Sequence, residues 1–187
     1  MAGAQRQFDA SHGQLLLGTG VTGRAAKMGH RLTMVMQRWQ AAVSWSGERP
    51  TAVALTVDVD SLQVLRGDGG LTPLTAPEKS LIRTNALKCL DAGRYGHIRF
   101  ECTDIAATDG GYRLAGSLQI RDRSRPHVVA VRVAELDGSW RVDGETVVRH
   151  SDFGIRRYSM LMGAMQVADE VTVSLSATIA GDTLAGR

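Results

Sequence analysis

The segment TAVALTVDVDSL, residues 51–62, sets Val53, Leu55, Val57 and Val59 on one side of an extended chain and Ala54, Thr56 and Asp58 on the other. Successive side chains of a strand point to opposite faces, so this period of two describes a long half-buried strand. The same alternation runs through Leu32, Met34 and Met36; Ile98, Phe100 and Cys102; Leu114, Gly116, Leu118 and Ile120; Val129, Val131 and Val133; and Val171, Val173 and Leu175. A weaker version passes through Trp140, Val142, Gly144, Thr146 and Val148. Turn sequences separate the runs, with DGG at 109–111, RDRSRP at 121–126 and LDGS at 136–139. Strands joined by connections this short are antiparallel.

One segment reads as a helix. LTAPEKSLIRTNALKCLDAG offers Thr75 as N-cap, Glu78 three residues on, Pro77 in the first turn and Gly93 as a stop, which predicts a helix over about 76–90. With the polar connection 66–75, it lies between the third and fourth strands, where it caps one end of a barrel rather than crossing a parallel sheet. Residues 1–13 and 179–187 are small and polar and read as flexible tails around one domain, 14–178. A chain of 187 residues is long enough to build a core or enclose a cavity without disulfides.

Charge excludes some partners. The formal net charge is +3, the basic residues are dispersed, and Phe, Tyr and Trp number three each with none interleaved in a basic run. A nucleic-acid surface of stacked aromatics and clustered cations is therefore not expected. The only early apolar run, Leu15–Leu17, falls short of a secretory signal, and no stretch matches a membrane span, so the expectation is a cytoplasmic protein with no integral membrane segment. Cys89 and Cys102 are then expected reduced and buried, although their spacing leaves a bridge open. Nineteen of the 22 basic residues are arginine, a bias that suggests a GC-rich bacterial genome.

Three motifs invite other functions. Gly18-x-Gly20-x-x-Gly23 has the spacing of a dinucleotide-binding turn, but the short RAAKM stretch after it breaks at Gly29 and alternation resumes at Leu32. The helix that would meet a pyrophosphate is missing, so the glycines read as a bend or bulge in the first strand, before His30 opens the second. SDFG at 151–154 echoes the metal-binding segment of protein kinases without the rest of that machinery. The five histidines, His12, His30, His97, His127 and His150, include no pair at spacing two or four, which leaves no metal site in view. His127 stands apart because it continues the face of Val129, Val131 and Val133, where it would put one polar group in an apolar interior. The alternative for His127 is a strand-end residue bonded to a neighbouring loop.

Methionines cluster early (Met28, Met34, Met36) and late (Met160, Met162, Met165), and flexible, polarizable side chains of this kind mould to a long apolar ligand as well as to a core. With few aromatics to fill it, the barrel is expected to be hollow.

LAGSLQIRDRSRPHVVAVRV, residues 114–133, resembles a segment of the YceI-like, polyisoprenoid-binding family, written G-x-L-T-(I/L)-x-G-x-(T/S)-(K/R)-P-V. HSDFGI at 150–155 is similar to that family's RSDFGI, VTVDVDSLQV to its V-T-I-D-x-x-S-(I/L), and IRTNALKCLDAGRYGHIRFECTDI to its helix-and-strand segment. The resemblance covers roughly residues 15–177, with Gly96 at the family's proline and His127 at its common valine. It implies an all-β, lipocalin-like antiparallel barrel of about eight strands with an elongated apolar pore for an isoprenoid chain.

On that basis the expected function is to bind, and carry or sequester, a long apolar lipid of polyisoprenoid or isoprenoid-quinone type, with no catalytic residue and no cofactor other than such a lipid. Expected ligand-binding residues are Met34, Met36, Leu55, Val57, Phe100, Leu118, His127, Val129 and Val131 inside the barrel. Met160, Met162 and Met165 form a gate near one mouth, and His127 or Arg156 would meet a polar head group. A homodimer stays open. The alternatives are a small-substrate enzyme using His127 or His30 as acid or base, and a stress-related or interaction protein with a solid barrel.

Overall fold

The computed structural model describes residues 4–181. Twelve strand segments form one antiparallel sheet. They are β1 (Gln5–Asp9), β2 (Gly13–Thr22), β3 (His30–Met36), β4 (Trp39–Ser46), β5 (Arg49–Asp58), β6 (Leu62–Gly69), β7 (His97–Thr108), β8 (Gly111–Ile120), β9 (Arg123–Leu136), β10 (Ser139–Arg149), β11 (Ser159–Met160) and β12 (Met165–Ala180). The expected count of about eight is corrected to twelve, and the pairing gives the reason. β1 and β2 lie along β4 and β3 in nearly one register, with Gln5 opposite Ser44 and Leu15 opposite Met36. β4 and β3 lie in the same way along β5 and β6, with Trp39 opposite Val57 and Met36 opposite Leu62. Three long strands are thus each interrupted once, and β11 is a two-residue addition to β12. Taken with their interruptions bridged, the strands run up and down in sequence order, and β12 pairs with β2 to close the ring. Closure leaves only β1, β6 and the two-residue β11 with a single strand partner each.

Two of the interruptions sit side by side, at residues 37–38 and at the 3-10 turn Val59–Ser61. There the Ser61 hydroxyl donates to Asp58 O (2.7 Å) and accepts from Arg38 N (3.0 Å), so it replaces ladder bonds lost at the bend. Val59, expected to continue the face of Val57, instead opens this turn and is buried. The first strand also corrects the sequence reading. Residues 1–13, expected to be a loose tail, contain β1, held along β4 with Phe8 buried. One apolar residue in QRQFD is too faint a pattern to announce a strand. The tail expected at 179–187 begins inside β12, and residues 182–187 lie outside the described part.

The predicted helix is present as α1 (Ala76–Cys89). Its capping box is complete: Glu78 N donates to Thr75 Oγ1 (3.4 Å), and Thr75 N donates to Glu78 Oε2 (2.7 Å). The bonds that Thr75 N and Thr75 Oγ1 donate to Glu78 Oε2 hold its carboxyl below its ordinary pKa. No side chain of α1 is fully buried. The helix is tied to β6 by Lys79 Nζ donating to Leu65 O and Arg83 Nε to Leu62 O, each at 2.7 Å. It lies across one end of the barrel, where the connections 23–29, 121–122 and 150–164 also gather.

At the other end Phe8, Leu15, Met36, Trp39, Leu62 and Ile179 pack into a core. A second cluster joins Phe100, Leu118 and Ile120 to Phe153 and Ile155. SDFG is part of that packing: residues 151–153 form a 3-10 turn, Gly154 takes φ 62°, and Phe153 is buried against the wall. Asp169 fastens the turn by accepting from Ser151 N (2.9 Å) and Ser151 Oγ (2.6 Å). Gly18 and Gly20 lie within β2, where Gly18 pairs with Thr172 and Gly20 faces the bulge of β12 between Val167 and Val171. Gly23 ends the strand at φ 103°, in contact with Ala164 O, where any side chain would clash and strain the backbone.

Candidate functional site

Because inward residues alternate with outward ones on every strand, the barrel interior is lined almost wholly by aliphatic side chains. They enclose a cavity of ≈ 690 Å³, within the usual range for small-molecule sites. Leu55, Phe100 and Leu118 stand side by side on β5, β7 and β8, with Leu55 opposite Phe100 and Phe100 opposite Leu118. Across the barrel, Met34 neighbours Leu17, and Leu17 neighbours Val173. Val129 and Val131 on β9 complete the wall.

Of the residues expected from sequence, Met34, Met36, Leu55, Val57, Phe100, Leu118, His127, Val129, Val131, Met160 and Met165 all line this cavity. Met162 does not. It sits on the 3-10 turn Leu161–Gly163 with a positive φ of 54° and is 103% exposed, so it stands outside the cavity. On such a turn the side chain stands in solvent beside the mouth rather than on the cavity wall. Met165 packs on Gly29, and Met160 is at the rim. Arg156 is exposed.

Few polar groups reach the interior. His127 Nε2 lies 2.8 Å from Thr146 Oγ1, and Thr146 Oγ1 lies 3.3 Å from Val128 O. Both contacts are satisfied when the threonine hydroxyl donates to Val128 O and the Nε2 hydrogen goes to Thr146. Nδ1 is then the free ring acceptor. Burial lowers the His127 pKa, against a smaller opposing pull from Asp152, and the ring is neutral near pH 7. Thr146 was legible as an inward position of its strand, but its pairing with His127 across β9 and β10 was not. His30 Nε2 is engaged by Thr72 O at 2.7 Å, which fixes the 70–74 connection over the barrel end. Cys89 and Cys102 are both free thiols; Cys102 is buried, whereas Cys89 is only half-buried and lines the cavity. Among the described residues no His, Cys, Asp and Glu group is arranged to hold a metal.

The helix expected to cap one end of the barrel is the lid, but the side chains it turns to the cavity were not singled out from the sequence. Leu81, Ile82, Asn85 and Ala86 of α1 line the cavity from above, as do Leu71 and Leu74 before it. The amphipathic signal of the helix is weak because it covers a hollow rather than a packed core.

A closed antiparallel meander with an apolar interior and one helix across its mouth is a lipocalin-like hollow barrel. The model of the YceI-like domain matches residues 2–179, and the chain belongs to that family. Its fold is similar to that of BcnA from Burkholderia cenocepacia, with a TM-score of 0.67 at 16% identity over 92% of this chain and 99% of that one. It is also similar to the YceI protein of Campylobacter jejuni, with a TM-score of 0.60 at 10% identity over 79% of this chain and 83% of that one. No curated protein matches the sequence. Among the described residues no helix is long and apolar enough to cross a membrane.

Proposed function

We infer that the barrel binds a long apolar lipid of polyisoprenoid or isoprenoid-quinone type and carries or sequesters it in the cytoplasm. The observation that carries this reading is the ≈ 690 Å³ cavity walled by valine, leucine and methionine and continuous with an opening beside α1. At ~30 Å³ for a water-sized group, it has room for roughly twenty methylene-sized groups, or about four isoprene units. Burial contributes ~0.8 kcal/mol per methylene, enough for micromolar affinity after the cost of association. A charged anchor is not required.

The polar end of the ligand would meet His127. A neutral imidazole with Nδ1 free suits an uncharged hydroxyl or carbonyl-bearing end, whereas exposed Arg156 suits an anionic one at the rim. Extraction and mass spectrometry of protein purified from its native host test the reading. The expected result is a co-purified prenyl lipid near one per chain. A dry extract, from protein that also fails to take up added polyprenol, rejects it.

A further inference from the structure

The large apolar side chains left in solvent are concentrated around the cavity mouth. Met28, Leu71, Leu81, Tyr158 and Met160 line the opening and are each at least 40% exposed, and fully exposed Met162 stands beside them. They come from four separate chain segments, which the fold locks together. Ala25 N donates to Ala164 O (2.9 Å), Gly23 packs on Ala164, and His30 holds Thr72. The rim is therefore a built surface rather than a loose tip.

Its charge is net basic: the connections 23–29, 121–122 and 150–164 hold Arg24, Lys27, Arg121, Arg156 and Arg157 against Asp122 and Asp152. Arg24 and Lys27 flank Met28 in a connection without a carboxylate, and Arg156 and Arg157 precede Tyr158. Among the described residues none of these four forms an ion pair. The hairpin turns at the opposite end, 47–48, 109–110 and 137–138, carry Glu48, Asp109 and Asp137 and no cation. The connections are thus net basic at the open end and acidic at the closed one.

We propose that the helix end of the barrel docks on the surface of an anionic lipid bilayer, with the apolar rim entering the headgroup layer and the flanking cations on lipid phosphates. Apolar residues ringed by Arg and Lys, with a tyrosine at the boundary, are the chemistry that such a surface selects. Docked this way, the cavity opens toward the hydrocarbon and a lipid tail need not cross water.

The test is co-sedimentation of the full chain with phosphatidylcholine vesicles, with and without about a third phosphatidylglycerol. Binding is expected to the anionic vesicles and to weaken with salt. Arg24→Glu with Lys27→Glu should reduce it about tenfold or more, and Met162→Asp should reduce it too. Aspartate tolerates the left-handed backbone at 162, so this variant should fold. Leu136→Asp, an exposed apolar site at the closed end, should change nothing. Docking uses the outside of the mouth, so Leu118→Trp, which narrows the cavity, should still bind; the docking and the cargo therefore fail separately. No binding to anionic vesicles, equal binding to neutral ones, or equal sensitivity to Leu136→Asp overturns the proposal. So does a dimer that Met162→Asp dissociates in the absence of vesicle binding.

Discussion

The two ends of the barrel solve opposite problems with the same strands. At the closed end, Phe8, Trp39 and Ile179 pack beneath Leu15, Met36 and Leu62, which are buried and form the floor of the cavity. At the helix end, α1 buries no side chain completely and is held by a capping box and by hydrogen bonds to strand carbonyls. Packing makes one end rigid; polar tethers keep the other over a hollow. Stability therefore resides in the plug and binding in the half of the barrel that lacks one. A barrel can stay hollow because the plug and the ladder bonds sustain the fold without a filled interior.

This contrast predicts unequal mutational effects. Trp39→Ala should cost about 3–5 kcal/mol in a denaturant titration, the usual range for deleting a buried tryptophan. Leu118→Trp should cost less, about 1–3 kcal/mol, because Leu118 packs on Phe100 and Ile120 but also borders the hollow, while lowering affinity for a polyprenol more than about tenfold by the methylenes it displaces. A large loss of stability there would place Leu118 in a packed core and erase the distinction between the ends. Thr75→Ala removes the helix cap and should cost about 1 kcal/mol, seen most sharply as faster hydrogen exchange over 76–82.

The smallest effect concerns His127. Its folded pKa lies below the ordinary value of about 6.5, so the unfolded chain takes up the proton first as pH falls. Its contribution to stability is complete above about pH 6.5 and declines as pH drops toward the folded pKa. His127→Gln should flatten that part of the stability profile measured between about pH 7.5 and 5.5. An unchanged slope would show that His127 is not desolvated in the wall.

Alternation made the walls legible: Leu55, Phe100, Leu118, Val129 and Val131 point inward because a strand leaves them no other choice. Thr75 and Glu78 marked the helix start because a capping box is a local device. The misses share a cause. β1 has a single apolar residue, the bends at 37–38 and 59–61 depend on the Ser61 bonds between separate strands, and Met162 lies on a turn. None of these is written in a local period. The basic rim escaped notice for a related reason, since Arg24 and Arg156 are far apart in the chain and their connections reach the same end only when β12 closes on β2.

The most direct measurement is native mass spectrometry of delipidated protein titrated with a polyprenol of about four isoprene units, in wild type and Leu118→Trp. The account predicts a one-to-one complex with wild type and one weakened more than about tenfold in the variant. No wild-type complex, or one that persists unchanged when the cavity is narrowed, would contradict it.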